Sequence, residues 1–505
     1  MPSNEVDFRD VQGIVRFGYG SLKEACFILL RIRDAGAARR WLATAPVTNA
    51  VRLDKAPESA LQIAFTVDGL RAVGLSDELI SGFSNEFLSG LAGDESRSRR
   101  LGDVGPNAPE DWMWGGNETD TPHLVLMLYS VQGGLDAWRN EIKGIHWDEA
   151  FDEGVCLPTS DMNGLEPFGF KDGISQPTVD WERARDASGD TMDYTNRVSL
   201  GEFLLGYPNE YGHYTDRPLV SDSNNILAAA SGLLPAEDQP SSLDFGRNGS
   251  YLVLRHLEQD VRAFWQFADH AAQGSADERE RLASAMVGRL RTGEPIVALE
   301  EQPIDGIDPK DAALNNFNYA CDEMGLSCPL GSHLRRANPR TADMPAGTLG
   351  SIRKLFRALG FPREDLRQDT ISSTRFHRLL RRGREYGQPI TPSEALAESP
   401  SGESRRGIYF ACLNANIARQ FEFVQSAWMM NANFDGLPDE NDPLLGPRCP
   451  LFGGESTASF SMPQSSGLRR KILNMPRFVT VRGGAYFFLP SLSALRYIAQ
   501  YEEPK

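Results

Sequence analysis

The 505-residue chain contains no run of about eighteen apolar residues, the length a helix needs to cross a bilayer, so no membrane-spanning helix is expected. It also lacks an excess of positive charge: 52 Lys and Arg stand against 69 Asp and Glu, a net charge of -17. Phosphate backbones and anionic membranes are bound by clustered cations, so neither is an expected partner. Cysteine is sparse. Cys26, Cys156, Cys321, Cys328, Cys412 and Cys449 are scattered, which excludes a disulfide scaffold. Cys321 and Cys328 lie near His333, but their spacing is not C-x-x-C and no second close pair follows, so a zinc site is poorly supported. The first residues, Met1 to Asp7, are acidic and polar. They show neither a basic stretch followed by an apolar one nor a twin arginine, and the expectation is a cytoplasmic protein.

What is present is ordinary globular material, 41% hydrophobic and 24% charged, long enough for more than one core. Cys26 to Ile32 and Leu124 to Tyr129 read as core strands. Ala37 to Ala45 favours helix. Leu61 to Val67 alternates apolar and polar residues, which predicts a strand with one buried face. Ser76-Asp77-Glu78 caps a helix running to about Phe83. Residues 92–120 and 180–248, rich in glycine, proline and charge, read as a long loop and a connecting region. In the second half, Tyr251 to His256 is a strand, and Val261, Phe264, Trp265, Ala268 and Ala271 fall at helical spacing. Thr391-Pro392-Ser393-Glu394 is a capping box. Residues 399–406 read as a polar linker. Gly407 to Leu413 is a strand, Ile417, Phe421, Val424 and Trp428 mark a helix, and Phe478 to Leu489 holds a last strand. The strand–helix grammar of both halves suits antiparallel α+β layers.

Three stretches carry chemistry. Gly169-Phe170-Lys171-Asp172-Gly173-Ile174-Ser175-Gln176-Pro177 is a turn in which glycines flank an acid, a form that can push a carboxylate into a pocket. Cys328-Pro329-Leu330-Gly331-Ser332-His333-Leu334-Arg335-Arg336-Ala337-Asn338-Pro339-Arg340 follows. The third is His377-Arg378-Leu379-Leu380-Arg381-Arg382-Gly383-Arg384-Glu385-Tyr386-Gly387. Taken together they resemble the G-x-x-D-G, C-P-x-x-x-H-x-R-x-x-N-P-R and R-x-G-x-x-Y-G segments of the DyP-type, or dye-decolorizing, haem peroxidases. The resemblance extends to Asp10-Val11-Gln12-Gly13 near one end and to Arg482 through Ser491 near the other.

That resemblance implies an α+β fold of two ferredoxin-like domains whose antiparallel sheets pack face to face in a barrel-like arrangement. One domain would cover residues 1–220 with the G-x-x-D-G turn, the other residues 221–505 with haem. It implies a haem b (iron protoporphyrin IX) cofactor, hydrogen peroxide as oxidant and bulky aromatic donors, dye-like or phenolic, oxidised through a ferryl porphyrin-radical intermediate. His333 matches the axial iron ligand, with His377 as the fallback. Asp442 is favoured as its carboxylate partner, with Glu422 as the competitor. Asp172 matches the proton-transferring acid. Arg381 matches the distal arginine, and Arg382 is the neighbour one place along. Arg340 matches an arginine that contacts a haem propionate, and Tyr386 a tyrosine that carries a surface radical in some members. Ile408 and Phe410, on one side of a strand, are expected to line the distal face. Gln176 departs from the asparagine frequent at its position. Two other readings remain open: a haem-binding or peroxide-sensing protein with little turnover, and a non-haem α+β module.

Overall fold

The computed structural model describes residues 5–501 except 118, 185–194, 222–225, 303, 305–306, 308–311, 341–372 and 449–455. Its strands are β1 Glu24–Ile32, β2 Ser59–Phe65, β3 Leu124–Ser130, β4 Phe151–Pro158, β5 Thr178–Asp180, β6 Arg197–Ser199, β7 Leu219–Val220, β8 Leu243–Asp244, β9 Ser250–Gln259, β10 Leu380–Arg381, β11 Arg384–Tyr386, β12 Gly407–Asn414, β13 Ser459–Met462, β14 Arg470–Leu473 and β15 Val479–Leu489. Nine of them make one antiparallel sheet in the order β10-β12-β9-β15-β2-β3-β1-β4, with β11 also on β12. The seam between early and late strands is thin. Only Phe488 opposite Phe65 joins β15 to β2.

The sheet curls until its two ends face each other. Phe27 on β1 and Tyr409 on β12 bring their rings to 6.0 Å. Between them pack Leu29, Val125, Met127, Leu254 and Phe487. Just past β4, the Ser160 N–H donates to Glu385 O on β11 at 2.8 Å. No ladder closes the barrel among the described residues; the path ends at β4 and β10. Strands covered on both faces lose the polar alternation of a half-buried sheet. This corrects the expectation for residues 61–67, since β2 is buried on both sides from Ala60 onward. Ile28, Leu61, Ile63 and Leu126 face outward onto the helices Ala35–Leu42 and Leu492–Gln500. The polar Gln62 points inward and is satisfied there, accepting from Ile14 N at 3.0 Å and donating to Thr48 O at 3.1 Å.

Three further readings are corrected. Residues 92–120 are not one loop. They contain a helix, Glu95–Leu101, capped by Asp94 and stopped by left-handed Gly102 (φ 80°). Its charges hid it in the sequence, but buried Arg97 forms a 2.6 Å ion pair with Glu422. The helix from Ser76 is also shorter than expected, ending at Ile80. The helical spacing of residues 417–428 belongs to π-helix, Ala418–Glu422 and Val424–Met429. The Glu422 N–H reaches Ile417 O at 2.9 Å, and Met430 N–H reaches Gln425 O at 3.0 Å. Such wide turns are rare and cluster at functional sites.

Candidate active site

One face of β9, β12 and β15 and the π-helical segment enclose a cavity. It offers about 280 Å³ to the centres of water-sized molecules, where one water needs roughly 10–15 Å³. It is therefore room for a large ligand. His333, Asp172, Arg381, Ile408 and Phe410 all line it, although His333 comes 161 positions after Asp172 in the chain.

His333 opens a five-residue helix, His333–Ala337. So short a helix cannot hold itself in place; two fully buried arginines do it. Arg335 donates to Asp322 and to Cys328 O. Arg336 donates to Trp428 O at 2.9 Å, Asn431 O at 3.0 Å and Glu440 O at 2.6 Å. Arg336 thereby ties the His333 helix to the segment carrying Asp442. His333 Nδ1 lies 3.0 Å from Asp442 Oδ2. Asp442 Oδ1 also accepts from Leu444 N and Leu445 N at 2.9 and 2.8 Å. Burial pushes the Asp442 carboxyl up, but the His333 charge and hydrogen bond, with Arg336 beyond, hold it below the usual carboxylate range. An ionised carboxylate only accepts, so Nδ1–H is the donor and Nε2 is the nitrogen left for a ligand. Glu422, the competing acid, is occupied by Arg97 and by the Tyr486 hydroxyl at 3.0 Å.

Asp172 sits on the glycine turn, with Gly169 at φ 93° and Gly173 at φ 78°, conformations only glycine adopts without strain. Arg381 Nη1 donates to Asp172 Oδ1 at 2.9 Å. Both side chains are open to the cavity, 36% and 29% exposed. Desolvation pushes Asp172 up. The Arg381 charge, the Gly173 N–H, the Arg381 hydrogen bond and the His333 charge outweigh it, and the carboxyl is held below its ordinary range. Gln176 clamps the Arg381 main chain, accepting from its N–H at 3.1 Å and donating to its carbonyl at 3.2 Å. Arg382 points the other way along the strand, donating to Ile14 O and Val15 O.

Other candidates lie elsewhere. Arg340 is buried in a left-handed conformation (φ 58°) and donates to Asn315 and Phe317; it is absent from the cavity lining, which Arg289 and Arg378 supply instead. His377 lines the cavity, stacks on Phe423 at 3.7 Å and donates from Nδ1 to Arg419 O. Burial pushes it down to about 4, so it stays neutral. Tyr386 is buried, stacked on Tyr409 at 4.6 Å. Three lining acids escaped the sequence reading: Asp103, which is paired with Arg255, and the two nearest the motifs, Glu166 and Glu385. Glu166 accepts from Phe168 N and Phe170 N, both at 3.0 Å, and so shapes the turn before Asp172; burial pushes it up to about 7. Glu385, on β11, is likewise raised by burial to about 7. For Glu166 and Glu385 the only available signal was their place inside or just before the motifs.

The residues fit a haem. One imidazole is backed by a carboxylate, the walls carry Leu257, Ile408, Phe410 and Phe421, and Arg289 and Arg378 supply cations suited to carboxylate tails. Among the described residues no cluster of three metal-ligating side chains competes with it. None of the described helices is long and apolar enough to cross a membrane.

No protein-family model matches the chain. Peroxidase 2 of Mycetinis scorodonius is 27% identical over 518 residues, covering 97% of this chain and 87% of that protein. The multifunctional dye peroxidase DyP2 of Amycolatopsis sp. is 27% identical over 512 residues, with 97% and 92% covered. Among solved structures, a decolorizing peroxidase from Auricularia auricula-judae superposes with a TM-score of 0.70 at 25% identity, covering 98% of this chain and 100% of that one. A dye-decolorizing peroxidase in complex with 2,6-dimethoxyphenol gives 0.69 at 25% identity, with 98% and 100% covered. In sequence over nearly its whole length and in fold, the chain is thus similar to the DyP-type, dye-decolorizing peroxidases.

Proposed function

We propose that this protein is a haem b peroxidase that uses hydrogen peroxide to oxidise bulky aromatic donors of the dye or phenol class. The observation that carries the reading is one cavity lined both by His333, backed by Asp442, and by the Asp172–Arg381 pair. A protein that only bound haem would need His333 alone. Bound through His333 Nε2, haem would supply the redox chemistry, two electrons to peroxide and one from each donor.

The chain's own residues handle the proton and the charge. Asp172 is ionised at neutral pH and so is ready to take a proton from hydrogen peroxide at its free carboxylate oxygen. The same depressed pKa makes the protonated form a strong enough acid to return that proton to the departing oxygen, which leaves as water. Arg381 fixes the carboxylate through Nη1 and stabilises negative charge developing on the departing oxygen. Ile408, Phe410 and Phe421 keep bulk water from the site. The walls that exclude water exclude a dye as well, so electrons from bulky donors would cross the protein to reach the cofactor.

Stopped-flow absorbance of the haem-loaded protein tests this. Hydrogen peroxide should lower and shift the Soret band, and 2,6-dimethoxyphenol should restore it with repeated turnover. A Soret band indifferent to peroxide would make the protein a haem binder, and no Soret band after reconstitution would remove the cofactor.

A further inference from the structure

Outside the cavity lining, two of the thiols meet at the sheet's edge. Cys26 on β1 lies opposite Pro158 and Ile28 lies opposite Cys156 on β4. Cys26 and Cys156 are therefore diagonal neighbours on one face of adjacent strands, and they pack together in the outer core. Cys26 is buried; Cys156 is half-buried on the edge strand, which among the described residues has no partner strand on its other side. The helix Leu135–Lys143 lies over this corner and brings the Arg139 guanidinium to 3.9 Å from Cys156 Sγ. Lys143 and Glu153 are near too, ion-paired to each other, with Glu153 also bridged to Arg139 at 2.9 Å.

We propose that Cys26 and Cys156 form a peroxide-oxidisable pair, in which Cys156, beside Arg139, is the attacking thiolate and Cys26 the resolving thiol. The hydrogen bond from the Cys26 thiol is the main reason Cys156 is held below the usual thiol range; burial opposes it, and Arg139 and Lys143 assist against Glu153. The Cys26 thiol is pushed up by that same bond and by burial, so it stays protonated. Thiolate, not thiol, is the form that reacts with peroxide. The Cys156 thiolate attacks one oxygen of hydrogen peroxide, the O–O bond breaks, and hydroxide leaves with a sulfenic acid formed on Cys156. Oxidation removes the Cys156 negative charge that held the Cys26 proton; as the Cys26 sulfur attacks the sulfenic sulfur, that proton passes to the sulfenic hydroxyl, which leaves as water, and a disulfide forms, two electrons having passed from the two thiols to the peroxide. Diagonal partners start further apart than a disulfide allows. An edge strand with a register irregularity between Ile28 and Leu30 is the kind of element that can close that gap. The oxidant is the one consumed at the cavity, so the pair would register peroxide that the peroxidase site fails to clear.

The test is peptide mapping of the haem-loaded protein after graded hydrogen peroxide, quenched with N-ethylmaleimide and digested without reduction. A Cys26–Cys156 crosslinked peptide should rise with dose and vanish with dithiothreitol. In Cys26→Ser, dimedone should instead label Cys156. Arg139→Ala should slow iodoacetamide labelling of Cys156 several-fold, and Arg139→Lys should restore most of it. Exposed Cys321 is the internal control. If Cys321 is oxidised while Cys26 and Cys156 remain fully alkylated by N-ethylmaleimide, the proposal is wrong. A crosslink that forms equally fast in Arg139→Ala would also overturn the role given to Arg139. Cys156→Ser should leave dye oxidation unchanged, because neither cysteine lines the cavity.

Discussion

The side-chain amide of Gln176 bonds both the N–H and the carbonyl of Arg381. The two residues are 205 positions apart, and this contact joins the glycine turn to β10. Arg381 thus approaches Asp172 from a main chain fixed by the same turn that carries Asp172. Gln176→Ala removes both bonds. With about 1 kcal/mol for a typical intramolecular hydrogen bond, the loss of Arg381 placement should cost on the order of tenfold in the rate constant with peroxide. Haem content should not change, since Gln176 touches neither His333 nor its helix in any bond found. Stopped-flow rates against peroxide concentration measure it. A rate equal to wild type would mean that Asp172 alone holds Arg381.

On the proposed reading, Asp442 acts through His333. An ionised partner on Nδ1–H makes the imidazole a stronger donor at Nε2. Asp442→Asn keeps the shape, and its amide oxygen can still accept, but the negative charge is gone. The expected result is retained haem with a more positive reduction potential and cofactor affinity weakened roughly 10–100-fold, the range for such outer partners. Spectroelectrochemical titration reads the potential. His333→Ala should lose the cofactor itself. If Asp442→Asn left both potential and affinity untouched, the 3.0 Å contact would be structural only.

The pH dependence of the peroxide reaction should report the Asp172–Arg381 pair. Asp172 is depressed in the folded protein, so the bond's stabilisation is present above the ordinary carboxylate range and disappears as pH falls through the lower folded value. The bimolecular rate should therefore stay level from neutral pH down past about 4 and fall only in stronger acid. Arg381→Leu removes the main opposing charge and leaves desolvation in command. The acid limb should then move up in pH, along with a large loss of rate. Asp172→Asn should abolish that limb. An unmoved limb in Arg381→Leu would show that another group sets it.

The parts of this site legible in the sequence were those carried by short motifs. The glycine-flanked Asp172, His333 and Arg381 were singled out because three such stretches together resemble the segments of one family, whereas each alone reads as an ordinary turn, histidine or basic run. The pairing of His333 with Asp442 joins residues 109 positions apart, and no periodicity encodes that. The same holds for the seam of Phe488 on Phe65 and for the buried inner face of β2, where the covering strands come from the far end of the chain. The π-helix was read as a helix because its apolar spacing suits either pitch. Residues 95–101 were lost among charges because the decisive fact, Arg97 turned inward to Glu422, depends on a partner more than 300 positions away.

Glu166 gives a prediction about stability. Its folded pKa, raised by burial to about 7, exceeds the ordinary glutamate value of about 4.3. Between those two values the folded state holds a proton that the unfolded chain has released. Stability must then fall as pH rises through that window, and level off above it. Glu202, raised by burial to about 7, and Glu385 add slopes of the same sign, while His256 and His377, pushed down by burial to about 4, add slopes of the opposite sign, so the Glu166 contribution is read from a variant and not from the whole-protein profile. Glu166→Gln removes one of these contributions. It also leaves one carbonyl to serve Phe168 N and Phe170 N, a cost of about 1 kcal/mol that does not vary with pH. The variant should therefore melt slightly below wild type in acid, gain on it as pH rises, and pass above it towards pH 7.5, because only the wild type must ionise a buried carboxyl. A difference constant across that range would mean that Glu166 titrates as an ordinary carboxylate, and that water in the cavity solvates it.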